Sequence, residues 1–228
     1  MARKNQSCGH KIKIEVIKSL KNTYKQFGAS YLAKKLLTKI ITPVYKSTSF
    51  YVLSVQERPA FSENKHIIVY DATTIEKLEK SNIELPTALD RQINNFIVKS
   101  RVILYILDDQ VAGWGFVQES GISDYAQYKF RVPSQTELLK NLYVLPEFRG
   151  KSIGKYINEH RIKTVPKGKI PIVFVMTENK YAIRNLEMFG FKKQVKVVDK
   201  LWFRNKHKRN ITLLSDHSSA EIIESGFL

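Results

Sequence analysis

The spacing of apolar residues changes period several times along the chain, and each change marks an element. From Lys11 to Phe27, Val16, Leu20, Tyr24 and Phe27 recur at helical intervals with most lysines between them, which predicts a helix. Gly28 interrupts it. A second stripe of Leu32, Leu36 and Ile40 predicts a helix over Ser30 to Ile41, closed by Pro43. The period then falls to that of strands at SFYVLSV (Ser49 to Val55) and HIIVY (His66 to Tyr70), both rich in β-branched and aromatic residues. Helical spacing returns at Thr73 to Ser81 and at about Thr87 to Ser100, on either side of Pro86.

RVILYILDDQVAGWGFVQES holds two apolar runs around Asp108, Asp109 and Gln110, the signature of a hairpin. A loop with Gly121 and Pro133 follows, then a strand from Glu137 to Leu145, a helix from Ser152 to Lys163 and the strand Ile170 to Met176. A helix from Lys180 to Phe189, a strand from Lys192 to Arg204 and a short last strand in NITLLS complete the order. Trp114 and Trp202 read as packing residues. This succession predicts an α/β (α+β) chain: a mixed, mostly antiparallel central sheet flanked by helices, with a helical N-terminal extension over residues 1–48 and one globular domain over 49–228.

One segment changes character midway. In NLYVLPEFRGKSIGKYI, Asn141 to Ile157, a β-branched strand meets a proline, then glycine and basic residues, then a helical pattern. A turn that opens a helix presents unpaired N–H groups at the positive end of the helix dipole, so the segment suits an anion. Arg149, Lys151 and Lys155 add charge beside it. VLPEFRGKSIG, Val144 to Gly154, resembles the acyl-coenzyme A signature of the GNAT acetyltransferases, and ENKYAIRNLEMFGF, Glu178 to Phe191, is similar to the family's later segment. The similarity in element order spans about His66 to Arg204.

That resemblance implies the GNAT fold and use of acetyl-CoA as cosubstrate. Backbone amides from Arg149 through Gly150, Lys151, Ser152, Ile153 and Gly154 would take the pyrophosphate, helped by Lys155. Free backbone groups of Leu142, Tyr143 and Val144 would pair with pantetheine, one amide polarising the thioester carbonyl, and Asn179 would bond the pantetheine arm. It also implies direct transfer of an acetyl group to a primary amine in a ternary complex. A fainter likeness to GNAT proteins of bacterial surface-polysaccharide synthesis implies an amino sugar or sugar nucleotide as acceptor; protein or small-amine acetylation is the rival. Two positions depart from the family. Ser152 replaces a glycine and fits the turn only if its φ is negative, and Leu186 stands where many members carry a proton-donating tyrosine. Those departures keep open a coenzyme A-binding sensor or docking module without turnover. Glu137 reads either as a solvated strand-end charge or as the catalytic general base.

Composition narrows the setting. A 43% apolar content with ten Gly and seven Pro is that of a folded chain. The single cysteine, Cys8, makes no internal disulfide, which suggests a reducing, cytoplasmic compartment, and the five histidines show no metal-like spacing, so no metal is expected. No signal peptide or membrane span is read in the sequence. Net charge is +17, and eleven Lys and Arg against the lone acid Glu15 put +10 of it in Met1 to Thr48. The basic arm suggests peripheral contact with an anionic membrane; no aromatic RNA-binding motif accompanies it, so nucleic acid is not the expected partner.

Overall fold

A computed structural model describes residues 45–58, 63–71, 74, 76, 78, 83–94, 100–125, 128–202, 206–215 and 218–228. The two helices expected before Pro43, together with Cys8 and most of the helix expected from Thr73, lie outside these residues. The chain divides into two compact units, Met1–Ser47 with Asp199–Lys208 and Thr48–Val198 with Arg209–Leu228. The second holds the cleft described below.

In chain order the elements are β1 (Tyr45–Ser54), β2 (Ile67–Asp71), α1 (Thr87–Asn94), β3 (Ser100–Leu107), β4 (Gln110–Gln118), β5 (Ile122–Tyr125), β6 (Tyr128–Arg131) and β7 (Thr136–Val144). There follow α2 (Ile153–Thr164), β8 (Ile170–Met176), α3 (Lys180–Met188), β9 (Lys192–Trp202), β10 (Lys206–Leu213) and α4 (Ser218–Glu224). Eight strands form one sheet in the order β10-β9-β1-β8-β7-β4-β3-β2, and β5 and β6 form a separate ribbon. The β7–β8 pair is parallel, whereas β1–β8, β2–β3, β3–β4 and β4–β7 are antiparallel. The mixed, mostly antiparallel sheet expected from the sequence is therefore present.

Burial follows the sequence pattern. IPIVFVM is apolar without alternation because both faces of β8 are covered. Val173 and Val175 join Leu139, Ile153, Ile157, Ile183 and Leu186 beneath α2 and α3. Ile172 and Phe174 turn to the other face, with Phe50, Tyr128, Phe130 and Ile223. Phe50 meets Tyr125, Tyr128 and Phe174 edge-on at 5.1–5.7 Å between ring centres, so truncating it to alanine should cost about 3–5 kcal/mol.

Several expectations need correction. Ser100 begins strand β3 instead of ending a helix. The segment expected as a loop after Gly121 contains the β5–β6 ribbon: Tyr128 and Phe130 are buried while Lys129 and Arg131 are exposed, a period-two pattern masked by the surrounding Gly, Ser and Asp. Helix α4 was not expected at all. Trp114 is buried as anticipated, but Trp202 is 45% exposed.

Candidate active-site cleft

Strands β7 and β8 pair only from Thr136↔Ile170 to Leu139↔Val173, although β7 runs on to Val144 and β8 to Met176. Beyond Leu139 the two strands splay. The cause is local. Phe116 of β4 pairs with Lys140 and Trp114 with Tyr143, so Gly115 alone opposes both Asn141 and Leu142. This is a β-bulge, with Asn141 in the left-handed region at φ 52°, and a bulge sharpens twist and releases backbone groups from the ladder. Glycine is required opposite it, because a Cβ on Gly115 would lie 2.8 Å from Arg161 Cδ. One on Gly113 would lie 2.8 Å from the Tyr143 carbonyl oxygen. Two small residues thus let α2 lie directly on β4.

The far end of β7 leads into the anion turn. A 3-10 turn over Pro146–Phe148 precedes extended Arg149, then Gly150 at φ 84°, and α2 begins at Ile153 without a side-chain cap. Its first amides are left for solvent or a ligand. Ser152 overturns the expectation of a negative φ: it sits at φ 58°, ψ 13°. The glycine-type turn survives with a Cβ in place, at a cost of about 1–2 kcal/mol. The Ser152 carbonyl accepts from the Lys155 and Tyr156 amides at 2.9 and 3.3 Å, which pins the turn to the helix.

Gly154 is different. It has no positive φ, and a Cβ there would meet only Val144 Cγ2, at an ordinary 3.6 Å; the fold itself does not demand glycine at this place. Arg149 Nε donates to the Val144 carbonyl at 3.2 Å, and its guanidinium lies 5.8 Å from the Tyr143 ring centre. Lys151 is exposed over Phe148, and Lys155 lies 3.9 Å from Glu159. Asn179 caps α3 by accepting from the Ala182 amide at 3.1 Å, which leaves its own side-chain N–H groups to donate elsewhere.

Between the splayed strands lies a cavity of about 300 Å³, bordered by Leu142, Asn179 and Leu186 and closed by side chains that sequence reasoning had not singled out. Tyr125 comes from the β5–β6 ribbon, and burial, then the charge of Glu178, raises its phenol pKa against the lowering effect of a hydrogen bond to the Met176 backbone. Lys140 donates to Gln118 Oε1 at 3.2 Å and Ser123 Oγ at 3.3 Å; burial lowers its pKa, opposed by Asp124. Arg161 reaches the cavity from α2. The signal for Arg161 was present in the sequence: Ile153, Ile157 and Arg161 are four residues apart, which places an arginine on the helix's apolar stripe. Tyr125 lacked such a signal because it lies on the unexpected ribbon, and so did Lys140, whose partner Ser123 lies there too.

Glu137 lies outside the cavity lining. It is 0% exposed, and its carboxylate accepts from Arg101 and, at 3.1 Å, from Lys169. It lies five residues before Leu142, on the order of 17 Å along an extended strand. A carboxylate held by two cations at the closed end of the strand pair ties that end together. It is not a solvated charge.

Among the described residues, no group of three His, Cys, Asp or Glu could hold a metal ion, and no helix is long and apolar enough to cross a membrane. No family model matches the sequence, and no curated protein does. Solved structures do match. A GNAT-family acetyltransferase from Novosphingobium aromaticivorans is similar over 67% of this chain and 63% of its own, at 13% identity and a TM-score of 0.47. A GNAT protein from Sphaerobacter thermophilus is similar over 78% and 58%, at 14% identity and 0.45. An aminoglycoside N-acetyltransferase in complex with CoA is similar over 56% and 91%, at 16% and 0.37. The chain spans less than two thirds of the first two proteins. Likenesses this distant add nothing to what the chain's own topology shows. The splayed parallel pair and the glycine-type turn opening α2 are the arrangement that the resemblance to the GNAT acetyltransferases implies.

Proposed function

We propose that the protein is an acetyl-CoA-dependent N-acetyltransferase that uses the β7–β8 cleft as its thioester channel. The observation that carries this reading is the juxtaposition of an uncapped helix start at Ile153 with two facing strand edges that open beyond Leu139. The first offers donors to a pyrophosphate, the second offers alternating donors and acceptors to the amides of pantetheine. Gly154 supports it, since its missing side chain serves a ligand better than it serves the fold.

When bound, acetyl-CoA supplies an activated acyl group, and the protein's task is orientation and charge stabilisation. The Leu142 amide, at the bulge, is the donor we assign to the thioester carbonyl. Tyr125 is our proton donor in place of the absent tyrosine at Leu186: its phenol carries its proton at neutral pH, and it borders the same cavity. With Glu137 outside the cavity lining, the acceptor amine gives its proton to solvent or to Asp124, which borders the cavity from the ribbon. The acceptor is a primary amine, an amino sugar or sugar nucleotide being the one favoured by the arrangement of sequence segments. The lone cysteine supports a reducing, cytoplasmic setting. Persistence of the left-handed turn at Ser152 supports coenzyme binding, which a transferase and a sensor would share.

The test is release of free thiol from acetyl-CoA with sugar nucleotides, small amines and peptides in turn. Acceptor-dependent thiol release supports transfer. Tight coenzyme A binding without release across the whole panel would instead favour the sensor reading, and no binding would remove both.

A further inference from the structure

Arg161 is 2% exposed, yet no carboxylate among the described residues pairs with it. Its Nη1 donates to the Lys140 carbonyl at 3.1 Å and its Nη2 to Asn158 Oδ1, both neutral acceptors, while Nε has no acceptor. The stem and Nε pass over Gly115, and Arg161 is among the residues that line the cavity. Each Nη carries two hydrogens and uses one, so further donors remain. A buried guanidinium normally keeps a carboxylate or phosphate partner, because desolvating an unpaired charge is costly. Burial has lowered its pKa to about 9, so it is still charged at neutral pH.

A structural role accounts for part of this: the bond to the Lys140 carbonyl braces β7 where its bulge begins. Asparagine or glutamine could brace it at far lower desolvation cost. A second, half-buried cation, Lys140, borders the same cavity, against Asp124 as the bordering carboxylate. The cavity lining thus carries an excess of positive charge around Arg161, about 12 Å along α2 from the amides at Ile153, at 1.5 Å per residue. That distance separates this charge from the one assigned to the pyrophosphate.

We propose that the part of the β7–β8 cleft lined by Arg161 is a carboxylate subsite, so that a productive complex carries a carboxylate there, on the acyl chain of the thioester or on the acceptor amine. The inference rests on the coenzyme A reading of the cleft. Arg161 contributes the bidentate-capable donors and Lys140 adds field.

Two arms separate the sources. In the first, the full-length protein is titrated with succinyl-CoA and with butyryl-CoA, which share a chain length and differ in the terminal carboxylate. In the second, acetyl-CoA turnover is compared for α-amino acids and for the corresponding amines lacking the carboxylate. The expected result is a preference of at least about tenfold for the carboxylate member in one arm, abolished in Arg161→Met and reduced in Arg161→Lys. Absence of preference in both arms for the native protein overturns the proposal, whatever the variants do. A preference undiminished in the variants overturns it too. If Arg161→Met does not fold, Arg161→Lys decides between these outcomes. Binding of coenzyme A itself to the native protein reports on the underlying reading separately, since it needs no carboxylate.

Discussion

Replacing Ser152 by glycine should stabilise the protein, which is unusual for a change to glycine at the start of a helix. The observed φ of 58° places a Cβ in the left-handed region, where an L-residue is about 1–2 kcal/mol worse off than in its preferred regions. Glycine removes that cost but loses more chain entropy on folding, about 0.5–1 kcal/mol. No cap is lost, because the Ser152 side chain makes no capping bond. The net expectation is a gain of about 0.5–1 kcal/mol, or roughly 1–4 °C in melting temperature for a chain of this size. Urea unfolding and a thermal melt would read it, and a titration with coenzyme A should show affinity equal to or tighter than that of the native protein, since a preformed turn no longer opposes its own geometry. Ser152→Val should move the other way, because a β-branched residue tolerates positive φ worst. A Ser152→Val protein as stable as the native one would refute the left-handed turn, and with it the claim that the family's turn survives the loss of its glycine.

Other residues make equally direct tests. Gly154→Glu should abolish the thermal shift given by coenzyme A while leaving the unliganded melting temperature within about 1 °C, because the fold has room for a side chain there. Glu137→Gln should destabilise by about 1–3 kcal/mol, by weakening the hold of Arg101 and Lys169, and leave the pH dependence of turnover unmoved; a lost acidic limb would mark it as base. Tyr125→Phe should lower kcat roughly 10- to 100-fold without changing acetyl-CoA affinity, and unchanged kcat would leave solvent as the donor. Because folding raises the Tyr125 pKa, the stability it contributes is complete below pH 10 and is lost as pH rises beyond that; Tyr125→Phe should flatten this alkaline loss in a pH series of urea melts. Removing residues 1–40, which stops short of β1, should abolish binding to anionic liposomes if the basic arm serves a membrane, and unaltered binding would end that proposal.

The sequence revealed those parts of this chain whose physics is local. The hairpin at Asp108 and Asp109 was readable because two apolar runs flank a two-residue turn, and both aspartates take the positive φ that such a turn needs. The helix starts at Ile153 and Lys180 followed from proline, glycine and a capping asparagine. The β5–β6 ribbon was hidden because YKFR is too short for its alternation to outweigh the Gly, Ser and Asp before it; its order comes from Tyr128 and Phe130 meeting the aromatic core. The burial of Glu137 was hidden because a charge near a strand end looks solvated until Arg101, from β3 beyond the neighbouring strand, and Lys169, from the turn before β8, are brought onto it. The sign of φ at Ser152 was equally out of reach, since residue type gives a preference for conformation and the surrounding turn here overrides it.

What keeps the cleft open can be assembled from these same parts. A parallel pair that has formed from Thr136 to Leu139 would gain hydrogen bonds by closing further, and facing edges that stay unpaired are unfavourable wherever water cannot reach them. Closure is blocked on the β7 side by the extra residue of the bulge, whose left-handed Asn141 turns the strand out of register with β8. The bulge in turn needs Gly115 opposite it, and Gly115 admits the Arg161 stem, whose guanidinium fastens the Lys140 carbonyl where the strands part. Glycine, bulge and buried arginine therefore act on one point of the backbone. Enlarging Gly115 to alanine should displace Arg161 and loosen that point, so its effect on coenzyme A affinity should exceed its effect on stability. The reverse ordering, a large loss of stability with affinity retained, would mean that the splay is held by the surrounding cores and not by this chain of contacts.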